Sequence, residues 1–377
     1  MRQTAGLGQD TDVIPVTEIA TTGVWVGQMR THSLILALPI CALAVAGASG
    51  CGAELTPKTK LRDARILAVR AEPVNPEPGE VSTFTPLLYM PEGETATYQW
   101  SWCPFPTDST AGYPCPIDQA GLDQLAQAAG LLAVPPLDLG TAATVSFANP
   151  FPIALTTAMC GNDPATLARV FGALGAKAAN IGLISCGLAT FPVQIKLTIT
   201  TAKSSDAGVF NLNLPIDETT PRNQNPVVRG LWDATTPPGV PLDDLGTVVR
   251  PTGSDVTLRV DMDESSSEAY LDKITLPDGE FQRDVSGNLV LGPARERITV
   301  SWFKEFGGLD KDSSGYNAKA LYADGTPIPF EVALKNTWTA PLKTDNPPPT
   351  VKLMAVVRDG RGGVGWTSGV VGLEAGK

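Results

Sequence analysis

The stretch Phe191-Pro-Val-Gln-Ile-Lys-Leu-Thr-Ile-Thr200 constrains the fold more than any other part of the chain. Apolar and polar residues alternate with period two. Val193, Ile195, Leu197 and Ile199 therefore fall on one face, as in a strand with one buried side. Similar patterns flank it. Ile66-Leu-Ala-Val-Arg-Ala71 is strand-like, and the proline-rich residues 73–80 make a turn. Residues 81–90 form a second strand, with Pro86 marking an edge or bulge. Thr97-Tyr-Gln-Trp-Ser-Trp102 is a third and places Tyr98, Trp100 and Trp102 on one face. Residues 209–214 supply a partner for residues 191–200. An aromatic stripe can be a ligand platform, as in sugar-binding modules. More often it is sandwich core, the reading adopted for these three.

A second set of strands repeats the first in the same order. Asn225-Pro-Val-Val-Arg-Gly230 answers residues 66–71, and Asp255-Val-Thr-Leu-Arg-Val260 answers residues 81–90. Ile298-Thr-Val-Ser-Trp302 answers residues 98–102, and Val351-Lys-Leu-Met-Ala-Val-Val-Arg358 answers residues 193–200. The shared order and the shared Ser-Trp pair point to two copies of one β unit; two unrelated β domains are the alternative. A chain of 377 residues has length for two domains at about 150 residues each. The polar stretch from Asp217 to Asn225 is the expected boundary, giving domains over 61–220 and 221–377.

Between residue 102 and Phe191 the β pattern breaks. Residues 120–134 have helical composition. Asn162-Asp-Pro-Ala-Thr-Leu-Ala-Arg-Val-Phe171 looks like a helix start, with Asp163 as N-cap and Pro164 as first residue. Residues 103–190 are read as a partly helical insertion between two strands of the first domain. Long insertions on β scaffolds often carry function.

Location is encoded near the start. Met29-Arg-Thr-His32 is mildly basic, residues 33–48 are apolar and uncharged, and Ser49, Gly50 and Cys51 follow. These are the three parts of a secretory signal. The apolar run is shorter than the ~20 residues a spanning helix needs. Residues 1–28 lack such an n-region and are read as a mis-assigned start or a dispensable leader. The ending Ala48-Ser49-Gly50-Cys51 resembles a bacterial lipobox, with Ala48 where leucine is commonest. The resemblance implies that residues 29–50 are removed, that Cys51 carries the lipid, palmitate included, and that residues 51–60 form a short polar tether. Gly52 after the cysteine is similar to the enteric sorting pattern for the outer membrane. An ordinary signal cut nearby is the alternative.

Export governs the cysteines. With Cys41 in the signal and Cys51 the lipid acceptor, Cys103, Cys115, Cys160 and Cys186 remain, and an exported chain is expected to pair them as two disulfides. Three pairings are open; the nearest-neighbour set, Cys103–Cys115 and Cys160–Cys186, is preferred and would staple the insertion. No Cys-x-x-Cys spacing supports a zinc knuckle or a thioredoxin-like site. The single histidine, His32, falls in the signal. The mature chain therefore has no Ser-His-Asp or Cys-His arrangement and no His-ligated metal. A net charge of −11 argues against nucleic acid and against direct attraction to anionic phospholipid.

Other clusters offer chemistry. Asp310-Lys-Asp-Ser-Ser-Gly315 has the opening of a calcium loop, with oxygens from Asp310, Asp312 and Ser314 and a sharp turn at Gly315. Leu321 stands at the twelfth position, where an EF-hand has its glutamate, so a polar hairpin loop is the preferred reading. Asp261, Asp263, Glu264 and Glu268 gather as a further cation site or a solvated loop. Gly360-Arg-Gly-Gly-Val-Gly365 has the glycines of a phosphate loop but precedes a strand rather than a helix, and reads as a hairpin turn. Catalysis would rest on paired carboxylates, as in glycoside hydrolysis.

Lys335-Asn-Thr-Trp-Thr-Ala-Pro341, the following apolar strand, a turn at residues 359–363 and a last strand to Leu373 resemble the closing strands of immunoglobulin-like and PKD-like modules. The mature chain resembles the immunoglobulin-like lipoproteins of Gram-negative cell envelopes. The resemblance covers the lipobox and both β units but not the cysteine insertion. It implies a mainly β fold of two immunoglobulin-like β-sandwich domains, the first with the disulfide-stapled insertion, held at the envelope by a lipid. The expected role is binding or scaffolding of an envelope protein or polysaccharide, with no nucleic-acid partner and no cofactor beyond calcium. A carboxylate-based carbohydrate-active enzyme and a calcium-dependent adhesin are the alternatives.

Overall fold

The computed structural model describes residues 58–105, 113–161, 163–175, 186, 190–218, 222–274, 276, 282–285 and 290–374. The first sandwich uses β1 (Arg65–Glu72), β2 (Val81–Tyr89), β3 (Thr97–Cys103), β4 (Asp138–Gly140), β5 (Val145–Ala148), β6 (Thr190–Thr200) and β7 (Ser205–Pro215). One sheet has the order β1-β2-β5 and the other β4-β3-β6-β7. The alternation that marked residues 191–200 now has its cause. In β6 the side chains of Val193, Ile195, Leu197 and Ile199 are wholly buried, facing the other sheet. Trp100 lies opposite Leu197 and Trp102 opposite Ile195. Both indoles are core, and their N–H groups donate to the carbonyls of Ala142 and Pro136 at 2.9 and 2.8 Å. Burial without those acceptors would leave each donor unsatisfied.

The span 103–190 is partly helical, and Cys103–Cys115 and Cys160–Cys186 are its disulfides. It is not, however, one continuous insertion. It contains β4, paired with β3, and β5, paired with β2. Val145 and Phe147 of β5 belong to the core, and the Phe147 ring meets Trp102 edge-on at 4.9 Å. A four-residue strand is too short for period-two alternation to stand out. The helices are α1 (Gln119–Ala129), α2 (Ile153–Cys160) and α3 (Pro164–Leu174). Asp163 caps α3 as its sequence implies, accepting from the Thr166 N–H at 2.8 Å, with Pro164 first in the helix. Asp118 caps α1 in the same way through Gly121. Leu122, Leu125, Met159, Val170 and Leu174 carry the helices onto the same core as Trp102 and Phe191.

The second sandwich is built from β8 (Val228–Asp233), β9 (Val240–Pro241), β10 (Val249–Pro251), β11 (Asp255–Met262), β14 (Ile298–Lys304), β15 (Gly308–Leu309), β16 (Ser313–Tyr316), β17 (Lys335–Thr339), β18 (Thr350–Arg358) and β19 (Val364–Glu374). Between β11 and β14, β12 (Ala269–Lys273) and β13 (Leu291–Arg295) form a separate ribbon. The sheet orders are β10-β19-β18-β14-β16 and β15-β17-β11-β8-β9. Matching β1, β2 and β5 to β8, β11 and β17, and β3, β4, β6 and β7 to β14, β16, β18 and β19, every pairing of the first sandwich recurs in the second. The Ser-Trp pair recurs with it. Trp302, like Trp102, is 1% exposed.

A third apolar cluster joins the two. Leu61, Leu67, Ala68 and Tyr89 pack with Met354 and Val356. In β1 the register with β2 shifts between Ile66 and Ala68, and a bulge of this kind re-aims side chains. Val69 and Ala71 enter the first core, while Leu67 and Ala68 enter the joint. β18 divides its side chains similarly, with Leu353, Ala355 and Val357 in the second core and Met354 and Val356 in the joint. A strand buried on both faces reads as an unbroken apolar run. That is the sequence of residues 353–357. The entering chain is fastened here too: Leu61 N–H donates to the Lys304 carbonyl at 2.8 Å, and Lys304 N–H to that of Thr59 at 2.9 Å. The expected tether to residue 60 thus ends inside a contact with β14.

Phe147→Ala tests the strand that composition concealed. Loss of this ring should lower stability by about 3–5 kcal/mol, read as a lower midpoint in chemical denaturation with an unchanged slope.

Candidate functional site

Cys51, the expected lipid acceptor, lies outside the described residues. The calcium candidates lie in and beside β16. Asp310 N–H donates to the Thr337 carbonyl at 2.9 Å, and Ser314 Oγ accepts from Trp302 Nε1 at 2.9 Å. Gly315 makes no sharp turn; it pairs with Thr299 of β14. A Cβ there would come within 2.4 Å of the Ile298 carbonyl oxygen, so close approach of two strands is what requires glycine. Asp312 has a cation nearby in Lys304, whose own ammonium is lowered by burial and raised again by that carboxylate. Among the described residues no group of three or more acidic, histidine or cysteine side chains is placed to hold a metal.

The acidic run 261–268 also meets arginine. Arg229 grips Asp261 and Asp263, with its closest oxygens at 2.9 and 2.8 Å, and Arg295 meets Glu264 at 2.8 Å. Glu268 lies 3.7 Å from Arg361. Each carboxylate of the run is therefore matched by a cation from another element. Sequence alone shows the acids together; the arginines come from up to 93 positions away and only folding brings them in.

The densest polar geometry lies where the two sandwiches meet, around the turn from β18 to β19. Asp359 is 1% exposed. Its Oδ1 accepts from the backbone N–H of Arg361 and Gly363 at 2.7 and 2.9 Å, and its Oδ2 accepts from Asn223 Nδ2 at 2.9 Å. A Cβ on Gly363 would fall 1.9 Å from that carboxylate, so the turn closes only around glycine. From the first sandwich, Asn75 Oδ1 accepts from Asn223 N–H and Asn213 Nδ2 donates to the Arg361 carbonyl. Asn225 spans the joint, donating to the Ala71 carbonyl and accepting from Val364 N–H, both at 2.8 Å. The stretch from Asp217 to Asn225, expected as a polar boundary, is at its end a set of specific bonds.

Charge is buried at the same place. Arg361 lies 2.8 Å from Glu296, whose other oxygen accepts from Glu268 N–H at 3.0 Å, and the guanidinium stacks 4.9 Å over Tyr270. Burial, then repulsion from Asp359, pushes the Glu296 carboxyl up to about 7; Arg361 and the Glu268 N–H oppose this without cancelling it. Asp359 is also raised, chiefly by burial. Neither Glu296 nor the bonding role of the asparagines follows from local sequence pattern. Asn223-Gln-Asn-Pro226, with two short amides before a proline, is the local pattern that marks the place.

The insertion presents a groove of about 260 Å³ beside the Cys103–Cys115 disulfide, with Gln99, Asp138, Tyr113 and Lys196 on its walls. Its polar walls and aromatic edge can take a polar ligand, while the disulfide fixes one rim.

No protein-family model matches the chain, and no curated protein sequence matches it. Among solved structures it is similar to a red sea bream transglutaminase (7% identity, TM-score 0.21, covering 84% of this chain and 32% of that one). It is also similar to the D00-D0 domain of intimin (9%, 0.18, 82% and 98%) and to murine CEACAM1b (7%, 0.17, 81% and 100%). The chain spans about a third of the transglutaminase chain. At these TM-scores the likenesses carry no argument, and the fold rests on the chain's own strand pairing.

Glu296 makes the stability of the fold pH-sensitive. Its folded value near 7 lies above the ordinary 4.5, so the folded state holds the proton more tightly. The contribution is fully present below pH 4.5 and is lost as pH rises to about 7, an effect on the order of 3 kcal/mol. Urea denaturation at several pH values should show stability falling over that interval, and Glu296→Gln should flatten the fall.

Proposed function

We propose that this chain is a lipid-anchored cell-envelope protein in which two fused immunoglobulin-like sandwiches act as one binding or scaffolding body. The observation that carries the reading is the joint. Apolar packing of β1 and β2 on β18, together with the Asn223, Asn225 and Asp359 bonds, fixes one sandwich against the other. A fixed pair holds its surfaces at a constant separation, as a scaffold must, and binding then costs no reordering of domains.

The envelope location is supported by the Met29 to Cys51 sequence and by the disulfides. Such bonds persist in oxidising compartments. Cys51 is the proposed acceptor, residues 29–50 the proposed signal, and Gly52 favours the outer membrane. Among the described residues no helix is long and apolar enough to cross a membrane. An envelope protein or polysaccharide is the proposed partner, and the groove beside Cys103–Cys115 is the first place to look for it.

Two measurements test the reading. Cys51→Ser should abolish incorporation of radiolabelled palmitate and leave the protein unprocessed or released, since stable attachment depends on the acyl chains; equal labelling of both proteins would remove the anchor. Met354→Lys should place an unpaired ammonium in the joint at a cost of several kcal/mol. Each sandwich keeps its own core, so limited proteolysis should gain a cut within residues 216–227. An unchanged digest would mean that the joint does not hold the pair together.

A further inference from the structure

The chain as a whole is acidic, with 39 acids against 28 bases, yet the end nearest Cys51 is basic. Residues 58–65 hold Lys58, Lys60, Arg62 and Arg65 against the single acid Asp63. Lys58, Lys60 and Arg62 make no ion pair among the described residues. Lys60 and Arg62 line one wall of an open hollow of about 550 Å³, whose opposite wall is Phe306, Pro341 and Leu342 of the second sandwich. Leu342 is 58% exposed. The acid on that rim, Asp345, accepts from the Leu342 N–H at 2.9 Å. The fastening of Thr59 and Leu61 to Lys304 holds the basic residues against this sandwich.

Seven steps of chain separate Cys51 from Lys58, a reach of at most about 25 Å when fully extended. If Cys51 carries the lipid, Lys58 stays within that distance of the headgroups, and Arg62, eleven steps along the chain, within about 40 Å. Basic residues there are attracted to anionic lipid, over a range set by the Debye length of about 8 Å at physiological salt. A protruding apolar side chain across from cations suits the boundary between headgroups and acyl chains.

We propose that the surface formed by Lys58, Lys60, Arg62 and Leu342 docks on the anionic phospholipid of the bilayer that holds the anchor, so that the protein stands on its membrane in one orientation. The location rests on the anchor reading, but the surface chemistry is testable without it. The net acidity then works with the patch rather than against it, because repulsion of the other faces leaves this end as the one that can approach.

The test uses the full chain carrying Cys41→Ser, Cys51→Ser and Leu342→Cys, labelled at position 342 with an environment-sensitive fluorophore. Vesicles containing phosphatidylglycerol should shift its emission to the blue, and vesicles of phosphatidylcholine alone should not. The shift should vanish at 1 M salt, where the Debye length is about 3 Å. It should also be lost in the same chain with Lys58→Gln, Lys60→Gln and Arg62→Gln, whose melting temperature should stay unchanged because the substituted side chains make no ion pair. An equal shift on both vesicles, a shift that survives the triple substitution, or no shift on phosphatidylglycerol at low salt would each overturn the proposal. Because this chain lacks Cys51, none of these outcomes bears on lipidation, which palmitate labelling tests separately.

Discussion

Everything in this molecule turns on β18 being buried on both faces. One row of its side chains fills the second core and the other meets the first sandwich. Met354 and Val356 each contribute roughly 1.5–3 kcal/mol if fully withdrawn from water, and no loop or linker is needed to supply the contact. Arg358, at the end of the strand, is drawn into the same region. Its guanidinium donates to the Leu67 carbonyl and to Ser301, and burial depresses it. Arg70 stacks on Trp366 at 4.8 Å from the other side. The outer face of a sandwich sheet, ordinarily wet, has become an interior.

The polar part of the joint serves a different purpose. Burying Glu296, Asp359 and Arg361 costs desolvation that their mutual attraction only partly returns, as the raised carboxyls record. Apolar packing is non-directional and would tolerate small slides of one sandwich on the other. Hydrogen bonds at 2.7–2.9 Å around one carboxylate do not. The apolar seam makes the pair stick, and the Asp359 turn sets its register.

The insertion follows another logic. Its helices cannot join a sheet, and each is short, so they depend on packing against Trp102, Phe151 and Phe191. Two disulfides limit the unfolded freedom of a span rich in glycine and alanine, roughly 2–4 kcal/mol each on a loop-closure estimate. The staples leave the groove beside Cys103–Cys115 with a fixed rim.

The sequence by itself determined the alternation in β6, the repeated Ser-Trp strands and the Asp163 cap, whereas which of three cysteine pairings forms was decided by the fold. The first three follow from local spacing, where one residue constrains the next few. It did not determine β5, whose four residues are too few to show a period. Nor did it determine that the carboxylates of residues 261–268 face Arg229, Arg295 and Arg361, or that the asparagines near residue 224 would bind two sandwiches together. Those outcomes depend on side chains brought together from 31 to 154 positions apart. The apolar run of residues 353–357 was legible as buried, but what covers its second face was not. A strand's composition reports how much of it leaves water, and only the tertiary structure decides which surface replaces the water.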